Sequence, residues 1–138
     1  MTIMIEFNGT YRGISFVVYF TKNGWRSCAI QVPVINKALL DDLSCHNGIA
    51  RIGEPGGVST LTEGTEPEIF KPQDGLMWIE FDCNGPGDLR DMPSLHRAYP
   101  EMKGITITDS DKKRNATIKD TQFCVDECKH IINQFVPK

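Results

Sequence analysis

The sequence predicts an α+β domain: a single antiparallel sheet of five or six strands with one C-terminal helix packed on it. Three observations point there. The N-terminal third holds runs of β-forming residues punctuated by Asn-Gly pairs at Asn8-Gly9 and Asn23-Gly24. A 3.6-residue apolar stripe of useful length occurs only near the C-terminus. The 138 residues suit one domain of ordinary size, with neither an internal repeat nor a second domain.

Ile3 to Phe7 reads as the first strand and Asn8-Gly9 as its turn. Tyr11 to Phe20 reads as a long second strand, rich in β-formers over Ser15-Phe16-Val17-Val18-Tyr19. Asn23-Gly24 between apolar runs is a strong hairpin signal, and Trp25 to Val32 returns as the third strand. Pro33 ends it, because proline gives no ladder donor. Ile35 to Leu43 suits a short helical turn, and His46 to Ile52 a short strand. The stretch 53–75 is a long acidic loop rich in glycine and proline, carrying Glu54, Glu63, Glu66, Glu68 and Asp74.

Met77 to Phe81 is the next strand, interior by its Trp78 and Phe81. Gly85 to Gly104 reads as irregular, since Pro86, Pro93 and Pro100 forbid a long helix. Ile105 to Thr108 is a last edge strand. Thr117 with Asp120 resembles a capping box opening the final helix. Cys124, Cys128, Ile131 and Phe135, with Val125 and Ile132, form its buried stripe.

Charge and composition narrow the functional classes. Formal net charge is −3, so no global basic field is present to hold nucleic acid; Lys112-Lys113-Arg114 reads as a solvated turn. The most apolar run, Ile14 to Phe20, is far short of the ~18 residues of a membrane span, and the apolar N-terminus is interrupted by Glu6. The expected location is the cytoplasm. There the five cysteines, odd in number and irregular in spacing, are expected as free, mostly buried thiols.

Two polar stretches at strand ends carry the site hypothesis: Cys45-His46-Asn47-Gly48 and Phe81-Asp82-Cys83-Asn84-Gly85-Pro86-Gly87-Asp88. A ligand site built from them, with Trp25 and Arg26 beside the hairpin, would comprise Trp25, Arg26, His46, Asn47, Asp82, Asn84, Gly87 and Asp88. Such a set offers an aromatic face, a cation, amides and carboxylates, the groups that a nucleotide-like ligand needs. Gly85-Pro86-Gly87-Asp88 is no phosphate loop, since it lacks the Gly-Lys-Ser/Thr that cradles phosphates. An alternative is a small hydrolase, with His46 as base and Asp82 or Asp88 orienting it or sharing the acid–base work. Cys45 or Cys83 could then supply the nucleophile. Against both stands the bland reading that Asp82 and Asp88 bond backbone amides in a glycine turn. No metal or cofactor is expected. Cys124 and Cys128 have a chelating spacing, but they sit on the apolar stripe.

The chain resembles a family of small phage and prophage proteins. Their pattern has an early hairpin, a His-Gly-Gly stretch, a Trp-x-x-Phe-Asp-Cys-x-His-x-Gly-Asp loop and a closing Glu-Cys helix. Tyr11-Arg12-Gly13 and Asn23-Gly24 correspond to the hairpin, Cys45-His46-Asn47-Gly48 to the His-Gly-Gly stretch, and Trp78 to Cys83 with Gly87-Asp88 to the loop. Thr117 to Cys128 corresponds to the helix. The histidine of that loop is missing here, where Asn84-Gly85-Pro86 stands between Cys83 and Gly87. The resemblance implies a phage accessory protein that counters host defence by sequestering a small polar, nucleotide-like ligand. A protein-binding inhibitor of a host defence complex, presenting the acidic 53–75 loop, is the third reading. Homo-oligomerisation is left open.

Overall fold

The computed structural model describes residues 4–34, 37–57, 73–104 and 115–136. Strands β1 (Met4–Tyr11), β2 (Ile14–Phe20) and β3 (Arg26–Pro33) form the expected meander. Helix α1 (Lys37–Asp41), β4 (Arg51–Ile52) and β5 (Leu76–Asp82) follow. Beyond them come β6 (Asp88–Leu89), α2 (Met92–Ala98), β7 (Thr117–Ile118) and α3 (Thr121–Phe135). The first five strands make one antiparallel sheet in the order β1-β2-β3-β5-β4. The fold is α+β, with α3 packed on that sheet.

Three boundaries differ from the sequence reading, each for a local reason. Asn8-Gly9 is no turn: it lies inside β1, opposite Val17 and Phe16. The chain reverses instead at Arg12-Gly13, whose φ values of 53° and 82° are the paired positive angles of a tight hairpin. The strand expected from His46 starts only at Arg51, because Asn47 and Gly48 take φ of 62° and 77° and turn the chain first. The capping residue of α3 is Asp120 itself, which accepts the Phe123 amide, in place of a Thr117–Asp120 box.

Within 85–104 a seven-residue helix, α2, does form, with Pro93 in its first turn and Asp91 accepting the Ser94 amide. β6 and β7 pair in parallel over two residues each, too few for any periodicity to announce. The expected edge strand over 105–108 and most of the acidic loop, 58–72, lie outside the described residues.

The central strands are buried on both faces, as continuous apolar runs require. One face packs Phe16, Val18, Ile30, Ile79 and Phe81 under the stripe of α3, whose Cys124, Val125, Cys128, Ile131 and Ile132 are all buried. The opposite face carries Val17, Tyr19, Ala29 and Trp78. Phe20, Leu95 and Tyr99 form a smaller core that anchors α2, and the Tyr99 hydroxyl donates to the Phe20 carbonyl at 3.0 Å.

Candidate functional site

The two polar loops singled out in the sequence meet at one carboxylate. Asp88 is wholly buried and accepts from four donors. The Gly85 amide and Asn47 Nδ2 reach Oδ2 at 2.9 and 2.8 Å; His46 Nε2 and Lys119 Nζ reach Oδ1 at 2.8 and 3.2 Å. Burial pushes the Asp88 carboxyl up, but the Gly85, Asn47 and His46 donors outweigh it, so it sits below the usual carboxylate range. An ionised Asp88 can only accept, so His46 Nε2 carries a proton and donates to it. The imidazole is one-fifth exposed and meets the edge of Phe123 at 5.0 Å between ring centres.

Asn47 holds both loops, since Nδ2 also donates to the Asp82 carbonyl at 2.9 Å. Its left-handed backbone, shared with Gly48, aims the amide inward. Lys119 adds a third segment by donating to the Gly87 and Thr117 carbonyls at 2.8 and 3.1 Å. Gly85 is required by close approach: a Cβ there would stand 2.3 Å from Asn47 Oδ1. Gly85→Ala should therefore cost about 1–3 kcal/mol, read as a lower urea midpoint with unchanged slope. An unchanged midpoint would show that Asn47 can leave Asp88 freely.

Asp82 does not join this cluster. Alternation along β5 sends its side chain to the face bearing Trp78 and Glu80, away from α3. There Arg51 clasps Asp82 with two bonds of 2.7 and 2.9 Å and Glu80 with one of 2.6 Å, while Ser27 donates to Asp82 at 2.7 Å. Burial raises the Asp82 carboxyl, but Arg51 and Ser27 hold it below the usual range. Asp82 and Asp88 therefore form no carboxylate pair.

Arg26 is occupied as well. It is 4% exposed and bonds Glu6 at 2.5 Å, Asp91 at 2.9 Å and the Lys119 carbonyl at 3.1 Å. Trp25 is half-buried, with the Arg90 guanidinium 4.6 Å above its ring. Asn84 and Gly87 are exposed at the tip of the second loop. Of the proposed nucleophiles, Cys45 is pushed up to about 12, by burial first and then by Glu127. Cys83 points at Cys124 instead of His46. Among the described residues no group of three or more His, Cys, Asp or Glu is arranged to hold a metal ion.

The described residues also line a groove of about 180 Å³ on the Trp78 face, among Asn8, Thr10, Ser15, Gln31, Gln73 and Trp78. Strand register builds it: Thr10, Ser15, Gln31 and Trp78 stand opposite one another across four strands. The sequence carried a signal for this groove in the polar Ser15 and Gln31 interrupting buried apolar strands. Lys119 carried none. A wider hollow between β1 and α2 is bordered by Glu6, Ser94, Arg97 and Thr121, which are already bonded to partners within the fold.

Comparison with known proteins finds no matching family model, curated protein or solved structure.

Proposed function

We propose that this protein binds and sequesters a small polar, nucleotide-like ligand, with the ligand's heterocycle in the groove beside Trp78. One observation carries the reading. The groove is lined by the neutral amides and hydroxyls of Asn8, Thr10, Ser15, Gln31 and Gln73, each able to donate and accept, alongside Phe16, Val17 and Trp78. That chemistry suits the edge of a base, which presents donors and acceptors but no charge. Its volume of about 180 Å³ is below the ~300–1,000 Å³ of pockets that engulf whole ligands, so sugar and phosphate would project outward. In the phage setting implied by the motif resemblance, such capture withdraws a host defence signal. That biological role rests on analogy.

A small hydrolase is the second reading, favoured by the 2.8 Å contact between His46 and Asp88. Asp88 orients the ring, and Nδ1 takes a proton from water. Asp82, bound to Arg51 on the other face, has no part in that step.

One experiment separates these readings. The protein is titrated by calorimetry and thermal shift with a panel of nucleosides, nucleotides and cyclic nucleotides, and the ligands are recovered for chromatography. A bound ligand at a hundred times Kd should add about 2.7 kcal/mol, a rise in Tm of roughly 10 °C. Gln31→Ala should weaken it at least tenfold, and the ligand should return unaltered. Conversion that disappears in His46→Ala would replace the binder with the hydrolase. Neither heat nor shift across the panel sinks both and leaves the protein-partner reading.

A further inference from the structure

Four cysteines meet beneath α3. Cys28 on β3, Cys83 just past β5, and Cys124 and Cys128 on α3 are free thiols between 0% and 2% exposed. Cys83 Sγ stands 3.6 Å from Cys124 Sγ. We propose that Cys83 and Cys124 are a reversible dithiol–disulfide pair, oxidised by a hydroperoxide, whose closure clamps the 83–88 loop onto α3.

Geometry selects this pair from the four. The sulphurs are already in contact, and a bond of about 2.05 Å needs a closure of roughly 1.5 Å. Cys83 is tied to β3 only by its amide, bonded to the Arg26 carbonyl at 2.9 Å, and beyond it the chain leaves the sheet into a loop whose Asn84, Pro86 and Gly87 are exposed. Cys28 cannot yield as easily: it lies mid-sheet, with Val18 opposite on one side and Phe81 on the other. Cys128 lies a turn further along α3.

Polarity assigns the roles. Cys124 opens the second turn of the fifteen-residue α3, its amide bonded to the Asp120 carbonyl. Cys28 and Cys83 can both donate to its sulphur, and with the charge of Arg26 they outweigh burial and hold Cys124 below the usual thiol range. Cys83 is pushed above that range, first as the donor to Cys124 and then by burial.

The chemistry balances. The Cys124 thiolate attacks one oxygen of hydrogen peroxide; the S–O bond forms, the O–O bond breaks, and the departing hydroxide takes up the proton that Cys124 gave to solvent on ionising, leaving as water. Cys83 sulphur then attacks the Cys124 sulfenic sulphur. The S–S bond forms, the S–O bond breaks, and hydroxide leaves with the Cys83 proton as a second water. Two thiols are oxidised and one peroxide is reduced. Because both sulphurs are buried, peroxide enters only when the loop lifts. The Asp88 cluster holds that loop down, so it sets the rate.

The test treats the full chain with hydrogen peroxide near neutral pH, quenches by alkylation and maps peptides by mass. Free thiols should fall from five to three, with one Cys83–Cys124 bridge that dithiothreitol reverses. In Cys83→Ala, Cys124 should stop at sulfenic acid, trapped by a cyclic 1,3-diketone. Asn47→Ala should form the bridge several-fold faster. The proposal is overturned if the folded wild type keeps all its thiols, if the bridge runs through Cys28 or Cys128, or if Cys124 proceeds to sulfinic acid unbridged. The wild-type mapping decides the matter even if a cysteine variant fails to fold.

Discussion

Arg26→Ala should be among the most destabilising single changes to this fold, at about 3–5 kcal/mol, the cost of leaving the buried Asp91 and half-buried Glu6 carboxylates without their cation. The guanidinium is 4% exposed and joins four segments. It bonds Glu6 of β1 from its own place on β3, and it reaches Asp91 at the cap of α2 and the Lys119 carbonyl before α3. Its face also lies 4.8 Å from the ring centre of Phe20. With it gone, Glu6 and Asp91 are left close together in a half-dry site. Thermal unfolding should shift down by roughly 10–20 °C. The mechanism has its own check: adding Glu6→Gln and Asp91→Asn to Arg26→Ala should restore part of the loss. If the triple variant is no more stable than the single one, the cost comes from lost packing on Phe20. Arg26→Lys should recover little, because a single ammonium cannot reproduce a fork with three partners.

This cluster was not legible in the sequence. Arg26 beside Trp25 at a hairpin had the look of a ligand cation, and nothing local said otherwise. Its partners lie 20, 65 and 93 residues away. Glu6 falls where the β1–β2 register slips, between Ile5 and Phe7, and such a bulge re-aims a side chain. No pattern in Ile5-Glu6-Phe7 announces that slip. The central strands and the α3 stripe were legible because burial there repeats over many residues. The expected Asn8-Gly9 turn failed for the opposite reason: a strong two-residue signal was overruled by seven residues of cross-strand pairing.

The candidate site divided along the same line. His46, Asn47 and Asp88 were legible as polar groups in glycine loops, and the fold does bring these three together. Asp82 stands six positions before Asp88, and the sequence treats them as one loop. A strand's alternation separates them, because Asp82 is still inside β5 and Asp88 is beyond it. Two of their charged partners, Arg51 for Asp82 and Lys119 for Asp88, come from distant segments without any motif.

Asp88→Asn should cost about 3 kcal/mol near neutral pH, through lost charge-assisted bonds and a Lys119 ammonium left without its counter-charge. The shape is kept, but the nitrogen of the substituted amide must face one of the donors that Asp88 now accepts. The pH profile separates charge from shape. The Asp88 carboxyl is held below its ordinary value of 3.8 in the fold, so on acidification the unfolded chain takes up its proton first. The stability it supplies is therefore complete above the unfolded value and drains away as pH falls through the folded one. Asp82 and Asp91 are also held low, so both proteins weaken in acid. Only the wild type loses the Asp88 contribution, and the gap between the two should narrow from about 3 kcal/mol toward zero as pH falls from about 7 to about 2. Urea midpoints at steps across that range measure it. A gap that stays constant would mean that Asp88 acts by hydrogen-bonding geometry alone, and the cluster joining the two loops would not depend on its charge.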